Sequence, residues 1–176
     1  MVDELQRVKE LFILYRGHFI QMHRAGYLEE YKKYDISKQT EIDWYNELID
    51  TFSKQLSIRD WEAVTSLEAL AKYYEDDRML EHVISFVSRH IMGADSMVKL
   101  MYAEKIIDFV KSSKKPMPKE FLYKVCRITV QILEDIISKP LIIDPGHELD
   151  VFNLKDKKSL NNRAKKSIGE IENILS

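Results

Sequence analysis

Asp144, His147 and Glu148 fall within five residues, beside Pro145 and Gly146, in the stretch Leu141-Ile142-Ile143-Asp144-Pro145-Gly146-His147-Glu148-Leu149-Asp150. One imidazole and two carboxylates offer the nitrogen and oxygen donors that suit zinc or another divalent ion. The same residue order also describes a β-turn: Asp at the first position, Pro at the second, Gly with its positive φ at the third and His at the fourth. The turn is the reading this order favours, and no metal or cofactor is expected. A metal centre here needs further ligands from the helices, and the helical histidines His18, His23, His82 and His90 lack a Glu three residues before them, so the Glu-x-x-His signature of di-iron bundles is absent. The apolar flanks Leu141, Ile142, Ile143, Leu149, Val151 and Phe152 are expected to pin this crossing segment to the core.

A second pair of residues carries a different chemistry. Arg16 and His23 are seven residues apart, which on one continuous helix leaves them about 20° from alignment. This Arg-x6-His spacing resembles the motif of HEPN-type ribonucleases, and the resemblance implies a metal-independent ribonuclease in which both side chains act at the scissile phosphate. Nucleophilic schemes find less. Cys126 lies among Val125, Ile128 and Val130 with no histidine nearby and reads as a small buried hydrophobe. The five glycines are isolated, so neither a nucleophile elbow nor a phosphate-cradling loop is present. The balance is against an enzyme.

Binding chemistry is better represented. Tyr27, Tyr31 and Tyr34 form an aromatic stripe that Trp44 and Tyr45 can extend, and such residues are enriched at interface hot spots. An acidic run, Glu75-Asp76-Asp77, supplies charge for a basic protein partner or for capping the helix that follows. Basic stretches at 111–119 and 155–166 leave nucleic-acid binding open, although no aromatics are interleaved for base stacking. The charge is unevenly placed: residues 1–110 hold 14 basic and 20 acidic side chains, residues 111–176 hold 13 and 9.

The elements that must position these residues are helical. In 176 residues, 45% are hydrophobic and 32% charged, with only 5 Gly and 4 Pro, too little punctuation for an all-β fold. A single cysteine excludes an intramolecular disulfide and a thiolate zinc cluster. The acidic start "MVDELQRVKE" does not resemble a signal peptide, and no apolar run approaches a membrane span; a cytoplasmic location without membrane contact is expected.

Apolar spacing predicts a first helix over 2–25, with Leu5, Val8, Phe12, Tyr15, Phe19 and Met22 on one face, and a short continuation through the tyrosines. A helix capped by Asp35 or Ser37 follows to Leu56. The next starts at a Ser57–Asp60 capping box and buries Trp61, Val64 and Leu67. Others use Leu80–Ile91, then Val98–Val110 opened by Asp95 or Ser96, then Phe121–Ile136 between Pro118 and Pro140. Residues 140–155 lose the helical period and are expected as an ordered loop or extended crossing, before a terminal helix over 159–175.

The expectation is therefore one all-α domain spanning 1–176. Six to seven helices would lie in antiparallel pairs, as an irregular bundle or a short HEAT-like stack. The pairs "WEAVTSLEALAKYY…DDRMLEHVISFVSRHI" and "SMVKLMYAEKIIDFV…KEFLYKVCRITVQILEDII" recur near the ~40-residue HEAT period. In this pattern the chain resembles small all-helical bacterial immunity and adaptor proteins. That resemblance implies a non-enzymatic protein-binding module, such as a toxin-neutralising protein whose acidic surface is steered to a basic partner. The alternatives are the ribonuclease of Arg16 and His23 and a nucleic-acid-binding accessory protein using the basic carboxyl-terminal part.

Overall fold

A computed structural model describes residues 2–74 and 76–176, with the backbone alone at Val2. It is all-α. The chain divides into two compact units, Met1–Lys54 and Gln55–Ser176.

The first unit holds α1 (Val2–Leu14), α2 (Phe19–Arg24), α3 (Leu28–Lys32) and α4 (Lys38–Lys54). The single helix expected over 2–25 is two helices, because Arg16 (φ 51°) and Gly17 (φ 68°) take left-handed backbone that no α-helix can continue through. The Gly17 N–H closes α1 by donating to Phe12 O at 2.9 Å, and His18 starts α2 by accepting the Gln21 N–H at Nδ1, also 2.9 Å. Gly26 (φ 87°) and Asp35 (φ 46°) end α2 and α3 in the same left-handed way. Val8, Leu11, Phe12, Met22, Tyr31, Trp44, Leu48 and Ile49 are buried, while Leu5 is 54% exposed.

The second unit holds α5 (Glu62–Ala71), α6 (Arg78–His90), α7 (Ser96–Ser112), α8 (Lys119–Ser138) and α9 (Lys157–Leu175), with short 3-10 turns at Ile91–Gly93 and Leu149–Phe152. The expected Ser57–Asp60 capping box does not form. α5 starts later, at Glu62, and Ser57 Oγ and Asp60 Oδ1 instead accept the N–H groups two residues on, from Arg59 and Glu62. α7 touches α5, α6, α8 and α9, and eleven of its seventeen residues are buried. Each fully buried aliphatic side chain there contributes roughly 1.5–3 kcal/mol. Tyr102, with no exposure, donates its hydroxyl to Ser57 O at 2.9 Å; burial pushes that phenol up to about 12.

The expected count of six to seven paired helices is therefore corrected: the described residues form nine α-helices, and α7 is enclosed by four neighbours. The difference arises chiefly in the first 25 residues. Apolar spacing runs on in phase through Phe19 and Met22 although the backbone breaks at 15–18, whereas the end at Gly26 falls where the first helix was expected to stop. No described helix is long and apolar enough to cross a membrane.

Candidate functional site

Residues 144–147 do form the expected turn. The His147 N–H donates to Asp144 O at 3.1 Å, and Gly146 holds φ 91° at the third position. Glu148 folds back on this turn, its Oε1 accepting the Gly146 N–H at 3.1 Å, and does not join a ligand cluster.

The partner of the turn is Asp95, the residue that opens α7. Its Oδ1 accepts the Val98 N–H at 2.7 Å as the helix cap. Its Oδ2 accepts the Asp144 N–H at 2.9 Å and lies 2.7 Å from His147 Nδ1. An ionised carboxylate only accepts, so the imidazole carries its proton on Nδ1 and leaves Nε2 for another partner. Ser96 extends the clasp: its N–H donates to Ile142 O at 2.8 Å and its Oγ accepts the Ile142 N–H at 3.1 Å. The His147 ring sits 5.1 Å from that of Trp61, which also meets Phe152 at 5.4 Å.

Ligand atoms of Asp95, Asp144 and His147 lie within 4.8 Å of one another, the one such group of three among the described residues. Two oxygens and a nitrogen suit a divalent ion. The buried Asp95 carboxylate already accepts three donors, however, so ligation through Oδ2 must displace the imidazole N–H or share its oxygen. No described hydroxyl or thiol is hydrogen-bonded to His147, so the Asp95–His147 pair activates no side-chain nucleophile in this arrangement. The geometry fastens segment 140–148 to the start of α7. Hydrogen bonds join the expected apolar pins: Leu141, Ile143, Leu149 and Phe152 are half-buried, whereas Ile142 and Val151 are 58% and 70% exposed. Asp95 was legible only as a helix cap, and nothing in a sequence ties it to a turn 49 residues on.

The other residues singled out by sequence fall elsewhere. Arg16 lies in the left-handed turn after α1 with its guanidinium 5.2 Å from the Phe52 ring, whereas His23 is an exposed residue of α2. The one-helix alignment that paired them does not exist. Tyr31 and Trp44 are each only 5% exposed, packed on Phe12, and cannot present a surface. The Tyr31 hydroxyl donates to Glu41 at 3.0 Å, and burial followed by the Glu41 charge pushes the phenol far above its ordinary range. Tyr45 donates to Gly17 O at 3.1 Å and meets Phe12 edge-on, Tyr34 is half-buried, and Tyr27, with Arg7 over its ring, stays open to solvent. Two of the five, Tyr31 and Trp44, belong to the core of the first unit, and Tyr34 and Tyr45 lie at its edge.

Parts of the acidic and basic runs border one cleft. Asp76 and Asp77 line one small cleft with Ser112, Ser113, Lys114 and Lys115. Glu75 lies outside the described residues. Asp76 also grips the Arg78 guanidinium; burial raises its carboxyl, but the Arg78 hydrogen bonds outweigh this and hold it below the usual range. In the basic tail, Arg163 donates two 2.7 Å bonds to Glu104, and Lys111 pairs with Glu170 at 2.7 Å. Lys157 reaches the last carbonyls of α8 and Asn161, and its burial lowers the ammonium's pKa. These cations are engaged inside the molecule.

One surface remains that no motif announced. Along α8, Tyr123, Cys126 and Val130, together with Leu175 of α9, form an apolar groove rimmed by Glu120, Lys124, Arg127, Gln131 and Glu134. Tyr123 is 57% and Leu175 41% exposed. Among the described residues the four charged rim side chains make no ion pair or hydrogen bond. Burial pushes the Cys126 thiol up, which suppresses its reactivity. Comparison of the chain with protein-family models, with curated proteins and with solved structures finds no match, so no family is assigned.

Proposed function

We propose that this chain is a non-enzymatic protein-binding module whose contact surface is the outer face of α8. The observation that carries this reading is the apolar groove of Tyr123, Cys126, Val130 and Leu175 inside a rim of unpaired charges. A desolvated aromatic centre with a polar rim is the anatomy of a protein interface, and a groove beside a helix suits an incoming helix. The narrower expectation of toxin neutralisation drew on the tyrosine stripe and the acidic run. Tyr31, Trp44 and Tyr45 pack within the first unit and Asp76 holds Arg78, so the binding role moves to α8 and its partner is left to chemistry.

The test is a photo-crosslinking phenylalanine analogue placed at position 123 in cells that express the chain. A discrete protein adduct is expected, lost on Leu175→Glu and absent when the analogue replaces Val151, which is exposed but outside the groove. Identical adducts from both positions, or none from position 123, would overturn the reading.

A further inference from the structure

We infer that the partner of the α8 face is a second copy of this chain, with α8 lying antiparallel to α8 across a two-fold axis near Val130. The inference rests on the reading of that face as a binding surface.

Glu120, Tyr123, Lys124, Arg127, Val130, Gln131 and Glu134 recur at three- and four-residue steps and so form one stripe along the helix. The order of charge along it is acid at Glu120, base at Lys124 and Arg127, neutral at Val130 and Gln131, and acid at Glu134. Parallel copies in register set like charge on like. Antiparallel copies centred on Arg127 set Arg127 on Arg127 and Glu120 on Glu134, which is also repulsive.

Centring the axis on the one uncharged step, Val130–Gln131, removes these like-charge contacts and sets opposite charges together. Arg127 of each copy then faces Glu134 of the other, and the relation occurs twice because a two-fold contact is self-reciprocal. Lys124 flanks the same Glu134, Val130 and Gln131 meet at the axis, and Tyr123 covers the exposed end of the opposite α8 at Ser138. The antiparallel arrangement also sets the two helix dipoles head to tail. α8 is 20 residues, roughly 30 Å long, so one helix face against another makes a small interface whose dimer depends on concentration and salt.

Sedimentation of the full chain from about 1 to about 200 µM, the range in which so small an interface titrates, tests this. The expected result is a monomer–dimer equilibrium weakened at least about tenfold by Arg127→Glu alone and by Glu134→Arg alone, each charge reversal costing well over 1 kcal/mol across the two-fold. The two variants mixed together regain the dimer, because one then carries only acids and the other only bases at these positions. Both are surface changes, and unaltered helical circular dichroism checks that each folds. A wild-type monomer at every concentration, a dimer indifferent to either reversal, or a mixture that stays monomeric overturns the proposal. A monomer whose position-123 crosslink captures a different protein overturns the self-partner alone; a monomer with no adduct overturns the binding face as well.

Discussion

The Nδ1 of His147 lies 2.7 Å from Oδ2 of Asp95, a carboxylate with no side-chain exposure, across 52 residues of sequence. The same carboxylate caps α7 and holds the Asp144 N–H, so one side chain sets both the start of a central helix and the path of the segment that crosses it.

Removing Asp95 therefore removes a cap and orphans two further donors. Asp95→Ala is expected to cost about 3 kcal/mol, and His147→Ala about 1 kcal/mol, in urea denaturation. In the Asp95→Ala background His147→Ala should add almost nothing. Strict additivity of the two losses would show that His147 is held by Trp61 rather than by the carboxylate.

The all-helical class, the position of α7 behind its Asp95 cap and the turn at 144–147 were legible because each rests on a local rule: 3.6-residue spacing, capping or turn chemistry. The break after α1 was not. Phe19 and Met22 stay in phase with Phe12, and the only marks of the break are Gly17 and the imidazole of His18 acting as a cap. The Asp95–His147 contact and the cleft shared by Asp76 and Lys115 are illegible for a different reason, since they depend on how helices pack. The tyrosine stripe had two readings of equal spacing, and only burial separates Tyr31 in the core from Tyr27 at the surface. The α8 groove carries no motif, because an exposed tyrosine and an exposed leucine on different helices gain meaning only from proximity.

Gly17 is required twice over. Its φ of 68° disfavours any side chain, and a Cβ there would overlap the Tyr45 ring and hydroxyl. Gly17→Ala is expected to lose about 2–3 kcal/mol of stability. Combining it with Tyr45→Ala should cost less than the sum of the single changes, because the overlap disappears while the backbone strain remains. Full additivity in urea melts would locate the whole penalty in the backbone.

Lys99 and Asp135 form a mostly buried ion pair at 2.7 Å between α7 and α8, with Lys139 on the second carboxylate oxygen. Burial raises the Asp135 carboxyl, but the hydrogen bonds from Lys139 and Lys99 and their charges outweigh it and hold the group below its ordinary range. A depressed carboxyl stabilises the fold fully above its unfolded value of about 3.9 and loses that contribution as pH falls through the folded value. Asp135→Asn should therefore lower the melting temperature at pH 7, by about 2 kcal/mol of stability, and the gap to wild type should close in strong acid. A gap that persists unchanged in acid would assign the loss to packing.

Asp108 on α7 has the opposite sign. Burial first, and then the charge of Glu68, only 2% exposed on α5, hold its carboxyl above the ordinary value despite Lys105 and Lys72. A group whose folded value is raised destabilises the fold once pH exceeds the unfolded value, and the cost reaches its plateau above the folded value. Asp108→Asn should then raise the melting temperature at pH 7 and leave it unchanged well below the carboxylate range. Glu68→Gln removes the repelling charge and should reduce the benefit of Asp108→Asn when the two are combined. A loss of stability at pH 7 on Asp108→Asn would instead make the ion pair with Lys105 the dominant contact of that side chain.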